Sequence, residues 1–204
     1  MSKFNTIFRK SVNQKNQKHL SNTTFSLLSS NCNGAFICHD LGLQFRSPFV
    51  NLWIKPGDFL KYLQNIEHYM HSDMTFVNED GITYPIGLLD DIRIYFQHYH
   101  SEEEARSKWM ERTGRIDLNN LFILFNDRDN CTYEQLQEFD NLPYPNKVVF
   151  THKPYPEFQS AYYIRGFEKE GQVGNLYEYI NPFSGQKHFD QFDYVSWFND
   201  GQTN

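Results

Sequence analysis

The chain has 204 residues, of which 22% are charged and 39% hydrophobic, and its formal net charge at pH 7 is −6. This length suits one sizeable core, and the composition is typical of a soluble globular protein rather than a disordered one. The acidic balance argues against nucleic acid as a partner. No segment approaches the roughly 20 apolar residues of a bilayer span, and the polar N-terminus lacks a signal-peptide core. We therefore expect a cytoplasmic protein.

Positive charge is concentrated at the N-terminus. Residues 1–20 carry five basic side chains and no acidic one, which leaves 14 of the 19 basic residues and all 25 acidic ones in the rest of the chain. Because there is no repeat and no Gly- or Pro-rich linker, we predict a basic extension over residues 1–20 and a single α/β domain over residues 21–204. The extension either makes peripheral contact with anionic lipid headgroups or solubilises a helix end, and its lack of an apolar face favours the second.

Predicted strands and helices alternate along the chain. The sequence predicts strands at 24–29, 49–54, 91–96, 121–125 and 147–151. Helices are predicted to begin at Pro56, after Ser101 and after Thr132, where a proline or a capping hydroxyl precedes apolar residues spaced by three and four. Asp80-Gly81 predicts a hairpin. This alternation predicts a single layered α/β/α domain with a largely parallel central sheet, and the hairpin is expected to make that sheet mixed.

The most distinctive segment follows the first predicted strand, where an apolar run ends in Ser29-Ser30-Asn31-Cys32-Asn33-Gly34. Small polar residues and a glycine directly after a strand suit a backbone that turns tightly and leaves N–H groups facing a ligand. We therefore expect Ser30, Asn31, Asn33 and Gly34 to bind substrate.

Three further predicted strands also end in polar or ionisable clusters. They lead into His98-Tyr99-His100, Asn126-Asp127-Arg128-Asp129 and His152-Lys153. In open α/β sheets, ligands lie beyond the carboxyl ends of the strands. If these strands are parallel, all four clusters share one edge of the sheet, and we expect Asn126 and His100 to contribute to substrate binding.

Cys32 is the candidate nucleophile, because a thiol beside free backbone N–H groups could attack a substrate with an oxyanion hole next to it. His39, His98 or His152 could act as its base. The alternative is a small buried residue that packs the loop, as most free cysteines do, and the G-x-S-x-G pattern of a nucleophile elbow is absent. The cysteine count of three, without a CxxC pair, predicts reduced thiols rather than disulfides or a zinc ribbon.

His98 and His100 are two residues apart, so in an extended segment they share a face and could bind a metal or act as acid–base groups. Asp127 and Asp129 have the same spacing. Their loop is similar to the acidic loop that holds a divalent cation and a sugar diphosphate in some glycosyltransferases, which makes Asp127 a candidate for binding a cation or a hydroxyl group. The alternative is an ordinary turn before a helix. The usual ATP and dinucleotide motifs are absent.

Longer motifs identify a family resemblance. The segments are SSNCNGAFICHDLGLQFRSPFVNLWI, YPIGLLDDIRIYFQHYHSEEEARSKWMERTGRI, KVVFT and FDYVSWFN, which lie between residues 29 and 199, and the resemblance runs from about residue 21 to residue 199. In this order they resemble DUF1919, a bacterial family of unknown function often labelled as exopolysaccharide biosynthesis protein. The family's loop pattern has an aromatic residue and two glycines after the cysteine, where this chain has Asn33, Gly34 and Ala35. The missing second glycine argues against a loop whose backbone cradles a phosphate.

The residues and the resemblance together leave three hypotheses. The first is a transferase that uses an activated sugar or acyl donor in exopolysaccharide synthesis, with His98 or His39 as base and Asp127 on a cation or hydroxyl. The second is a hydrolase or acyltransferase that depends on Cys32. The third is a non-catalytic protein that binds glycan through exposed tyrosines and tryptophans, although the apolar settings of Trp53, Trp109 and Trp197 favour core positions.

Overall fold

The computed structural model describes residues 3–201; residues 1–2 and 202–204, at the outer ends of the two predicted segments, lie outside the described residues. The helices are α1 (Lys3–His19), α2 (Asn33–Asp40), α3 (Pro56–Gln64), α4 (Ile66–His71), α5 (Glu102–Thr113), α6 (Tyr133–Asp140) and α7 (Tyr194–Asp200). The strands are β1 (Ser26–Ser29), β2 (Trp53–Ile54), β3 (Met74–Val77), β4 (Ile86–Leu89), β5 (Ile92–Tyr95), β6 (Leu121–Asn126), β7 (Lys147–Thr151) and β8 (Ala161–Tyr163). Short 3-10 helices cover Leu118–Asn120 and His188–Gln191.

The strands form two sheets of four. One is parallel throughout, in the order β1-β6-β7-β8, and the other is antiparallel, in the order β2-β5-β4-β3. The α/β class is therefore confirmed, as is the hairpin around Asp80-Gly81, which joins β3 to β4. The antiparallel strands have a sheet of their own instead of mixing into the parallel one. The backbone N–H of Ile54 donates to the carbonyl of Ser30 at 3.1 Å and links the two sheets at the end of β1.

Strand β6 lies between the two hydrophobic cores of the protein. All six of its residues are buried, as its continuous apolar run predicts. Ile123 and Phe125 pack into a core with α3, α5, α6 and the antiparallel sheet, whereas Phe122 and Leu124 pack into a second core with α2, α7 and the C-terminal loops. Alternate side chains of one strand thus face opposite sides, and each side is covered by helices.

The predicted helix starts are confirmed by their caps. Ser101 Oγ accepts a hydrogen bond from the backbone N of Glu104 at 3.1 Å, and Thr132 with Gln135 forms a reciprocal capping box. The helix predicted to begin at Pro56 is divided into α3 and α4, because Asn65 has φ −144° and ψ 55° and leaves the helical region. The buried apolar face of α3 nevertheless continues into α4.

Helix α1 contains most of the basic N-terminal segment and is joined to the rest of the chain by buried charges. Arg9 is only 5% exposed; its guanidinium binds Asp40 at 2.7 Å and pairs with Asp190 as well. Lys187 Nζ, also buried, binds the same Asp40 oxygen at 3.0 Å. Contact of this segment with a lipid surface stays a prediction. Within residues 3–201, no helix combines the length and the apolar character that a bilayer crossing requires.

Candidate functional site

A cavity of about 250 Å³ lies where β1 and β6 end. We call it the strand-end cavity, and it is lined by Asn31, Cys32, Asn33, Phe36, Trp53, Gln97, Arg128, Asp129 and Asn175. The wall comes from the loop after β1 and the start of α2, from the loop after β6, from β2, from the end of β5 and from a late loop. A cavity therefore lies beyond the ends of β1 and β6, where the sequence predicts a ligand site, and ligand binding there stays a prediction.

The backbone of the first loop is organised by its own side chains. The N–H of Asn33 donates to Asn31 Oδ1 at 3.1 Å, and the N–H of Gly34 donates to Ser29 Oγ at 3.3 Å. These two groups do not face a ligand, which corrects the expectation for this loop. A Cβ on Gly34 would lie 2.7 Å from the Cβ of Ser29, so the glycine is needed because α2 approaches β1 closely. Ser30 is buried and accepts a 3.4 Å hydrogen bond from Asn126, so both residues support the wall from behind.

Asn33 carries the clearest unmet hydrogen-bonding capacity in the wall. Its side chain is in the first turn of α2, and the residue is only 6% exposed. Its Nδ2 is buried and has no hydrogen-bond partner. A buried polar group without a partner costs free energy, so this amide is an exception that needs an explanation, and its residue lines the cavity.

Arg128 is the cationic residue of the cavity wall. Its Nη1 donates to the carbonyl of Gly174 at 2.9 Å, which fixes one edge of the guanidinium. Its Nε is buried without a partner, and no ion pair joins Arg128 to a carboxylate among the residues that the structure describes. The loop itself is held by Asn126, whose Oδ1 accepts from the backbone N of Arg128 at 3.3 Å.

Asp127 has a structural role instead of the predicted contact with a cation or hydroxyl. Both of its oxygens are occupied: Oδ2 binds the backbone N of His152 at 2.7 Å and its ring Nδ1 at 2.5 Å, and Oδ1 binds the backbone N of Val173 at 2.7 Å. The carboxylate that does line the cavity is Asp129, which is exposed. In the described part of the chain, no three His, Cys, Asp or Glu side chains converge to hold a metal ion.

The structure does not bring the predicted histidines to the cavity. His39 lies in the last turn of α2 with 77% of its side chain exposed, at the opposite end from Cys32. His98 is exposed and its Nε2 lies 2.9 Å from Gln97 Nε2, while His100 is exposed before α5. The reason is that β5 belongs to the antiparallel sheet, so the end of this strand contributes Gln97 to the wall but directs the chain away afterwards.

Cys32 lies in the wall as expected, immediately before α2, but its surroundings favour the neutral thiol. Burial raises the pKa of the Cys32 thiol, although nearby backbone hydrogen bonds oppose the shift. Its Sγ donates to the carbonyl of Leu52 at 3.7 Å. A thiol that donates to a carbonyl in a half-buried position is less nucleophilic than one beside a cation.

Sequence reasoning missed several residues of the wall as site residues, namely Phe36, Gln97, Arg128 and Asn175. Trp53 was considered as a stacking residue but favoured for the core; it is half-buried in the wall and stacks on Tyr95 with 4.1 Å between ring centroids. Trp109 and Trp197 are core residues, as their settings indicated. No signal in the sequence links Asn175 to this site, because its loop follows β8, far along the chain from β1.

A family model described as a domain of unknown function, DUF1919, matches residues 3–199 of the chain. The chain belongs to the DUF1919 family. A relative from Haemophilus influenzae (strain ATCC 51907 / DSM 11121 / KW20 / Rd), described as an uncharacterized protein, is 54% identical over 188 residues, which make up 92% of this chain and 90% of the relative. The resemblance found in the sequence motifs is confirmed. Neither description names a reaction. The function of this DUF1919 protein is therefore inferred from the strand-end cavity.

Proposed function

We propose that this protein is a transferase that binds an activated sugar in the strand-end cavity and acts in exopolysaccharide synthesis. The observation that carries the proposal is the meeting of unpaired donors with an aromatic ring in one cavity. Asn33 and Arg128 both line the cavity and each has a buried side-chain nitrogen without a partner, and Trp53 lies in the same wall. The exopolysaccharide context is what the family resemblance implies, and it is part of the proposal.

The chemistry of the wall favours a sugar over an acyl chain. It contains four side-chain amides, one guanidinium and one carboxylate, which can donate to and accept from hydroxyl groups, and two aromatic rings, Phe36 and Trp53, against which the apolar face of a sugar ring can pack. The described wall has no aliphatic side chain that would hold an acyl group. A few polar groups in fixed positions beside an apolar surface are what orient a small polar ligand.

Asp129 is the group we assign as general base. In the proposed reaction its carboxylate takes the proton of an acceptor hydroxyl, the hydroxyl oxygen forms a bond to the anomeric carbon, and the bond from that carbon to the leaving oxygen of the donor breaks. The leaving group departs with the electron pair. This assignment replaces His39, His98 and Asp127, because Asp129 is the ionisable carboxylate in the wall.

Thiol chemistry at Cys32 is the second candidate function, and the position of this residue in the wall favours it. The raised pKa of the thiol and the placement of His39 and His98 outside the wall count against it. The third hypothesis, glycan binding without catalysis, uses the same cavity and differs only in the absence of transfer.

The deciding experiment is a thermal-shift screen with nucleotide sugars and acyl-CoAs, with and without Mg²⁺ or Mn²⁺, followed by a transfer assay with the donor that raises Tm. Asp129→Asn is expected to keep binding and to lose transfer. Asp80→Asn, which makes the same change in the exposed hairpin turn, is the matched control and is expected to keep both. A screen in which only acyl-CoAs raise Tm, or in which no compound does, would contradict the proposal, whereas transfer that survives in Asp129→Asn would overturn only the assignment of Asp129 as the base.

A further inference from the structure

The strand-end cavity has an unbalanced set of hydrogen-bonding groups. Its two buried atoms without partners, Asn33 Nδ2 and Arg128 Nε, are both donors. Both belong to residues that line the cavity, so a ligand that pairs with these two side chains must offer acceptors. A sugar hydroxyl can accept, but it also brings a donor of its own, whereas a phosphate brings acceptor oxygens and a negative charge.

The charge of Arg128 is also unmatched. The chain is acidic overall, yet among residues 3–201 the guanidinium of Arg128 has only the carbonyl of Gly174 as a hydrogen-bond partner. Arg9, by comparison, is paired with two carboxylates in its buried position. A half-buried guanidinium without a counter-ion has a strong preference for an anion, and its fork of N–H groups fits a phosphate in a bidentate way.

The position of Asn33 adds a second attraction for an anion. Asn33 is the first residue of α2, an eight-residue helix whose N-terminus borders the cavity. The partial positive charge of a helix start favours a negative group nearby, even though the N–H groups of Asn33 and Gly34 are already bonded to side chains. An anion here would consequently be bound by side chains and the helix dipole, which fits a loop that lacks the second glycine.

We propose that Arg128 and Asn33 form a phosphate subsite, so that the activated sugar is carried by a phosphate or diphosphate group. This inference rests on the proposed function and narrows it to phosphate-activated donors. Asp129 is the carboxylate in the same wall and would repel a phosphate placed against it, so the phosphate is assigned to Arg128 and Asn33 and the acceptor hydroxyl to Asp129. The volume of about 250 Å³ lies just below the range of about 300–1,000 Å³ that is usual for ligand sites and suits a small ligand such as a phosphate with one adjoining sugar.

The test is a set of binding titrations with the full chain, using inorganic phosphate, pyrophosphate, glucose 1-phosphate and glucose as probes. Arg128→Gln is compared with Arg93→Gln, which removes the same charge from an exposed position on β5. We expect the phosphate-bearing probes to bind the wild type and Arg93→Gln equally and to bind Arg128→Gln at least about tenfold more weakly. Because Arg128→Gln also loses the bond to Gly174, Asn33→Asp serves as a second variant; it keeps the side-chain shape, places a negative charge at the subsite and is expected to weaken phosphate binding similarly.

The outcomes separate the subsite from the proposed function. Phosphate binding that is equal in all variants, or absent from the wild type, would overturn the subsite. If glucose binds while no phosphate-bearing probe does, the subsite fails and sugar binding survives. If the probes bind as expected but no transfer from glucose 1-phosphate or a nucleotide sugar is found, the subsite stands and the transferase proposal fails.

Discussion

Asp127 Oδ2 accepts two hydrogen bonds from His152, one from the backbone N at 2.7 Å and one from the ring Nδ1 at 2.5 Å. Its other oxygen accepts from the backbone N of Val173 at 2.7 Å. One buried carboxylate thus joins the end of β6 to the end of β7 and to the loop that precedes Asn175. Because Arg128 is the next residue, the same contacts fix the position of the Arg128 backbone in the cavity wall.

Asp127→Asn is expected to lower the free energy of unfolding by about 2–3 kcal/mol, because an amide NH₂ replaces an acceptor that faces buried donors. Urea denaturation measures this change. Asp129→Asn makes the same substitution two residues away on an exposed side chain and is expected to have little effect on stability. If the two variants are equally stable, Asp127 does not hold the strand ends together.

The buried charges between α1 and the rest of the chain predict a dependence of stability on pH. Burial disfavours the ionised form of Asp40, but attraction by Arg9 and the hydrogen bond from Lys187 outweigh it, so the pKa of Asp40 lies below its ordinary value of 3.8. A carboxyl whose pKa is lower in the folded chain contributes its full stabilisation above the unfolded pKa, and that contribution is lost as the pH falls through the folded pKa.

Asp40→Asn is therefore expected to be less stable than the wild type by about 3 kcal/mol at pH 7, since it leaves Lys187 without its carboxylate. The difference is expected to shrink below about pH 4, where the unfolded wild-type chain takes up a proton at Asp40, and to go on shrinking until the pH falls through the lower folded pKa. Denaturation curves at pH 7 and pH 3 give the comparison. Asp91→Asn removes an exposed ion pair with Lys61 and is the control; an effect as large as that of Asp40→Asn would contradict the importance of burial.

The sequence predicts those features that depend on near neighbours in the chain. The capping residues Ser101 and Thr132, the hairpin at Asp80-Gly81 and the buried run of β6 are local signals, and each is confirmed. The separation of the antiparallel strands into their own sheet depends on which strands pair, and alternation of helices and strands does not specify pairing.

In the candidate site, too, the sequence predicts the local features but not the contacts between residues far apart in the chain. Asn31, Cys32 and Asn33 could be found because small polar residues follow a strand directly. Asn175 could not, and neither could the pairing of Arg9 with Asp190, which are 181 residues apart. The glycine after a strand predicts a ligand-binding turn at Gly34, whereas the structure has this glycine where α2 packs against β1.

Gly34→Ala tests that packing role. The new Cβ would lie 2.7 Å from Ser29 Cβ and 3.2 Å from Leu27 Cδ2, and a Cβ cannot move without the backbone, so we expect a loss of about 1–3 kcal/mol of unfolding free energy. Ser29→Gly removes the clashing atom, and the double variant Ser29→Gly, Gly34→Ala is expected to lose less than the sum of the two single variants. Additive losses would mean that the close approach is not the cause.

The reactivity of Cys32 distinguishes the two enzymatic readings of the cavity. Burial raises the pKa of its thiol above the ordinary value of 9.0, so the thiolate fraction at pH 7 is below about 1%. Iodoacetamide is expected to label Cys32 slowly at pH 7, with a rate that rises steeply above pH 9. Cys38 and Cys131, whose pKa values burial raises to about 12, are expected to react more slowly still. Cys32→Ser is expected to keep donor binding and transfer. Rapid, selective labelling of Cys32 at pH 7, together with loss of activity in Cys32→Ser, would favour the thiol mechanism over a reaction in which Asp129 is the base.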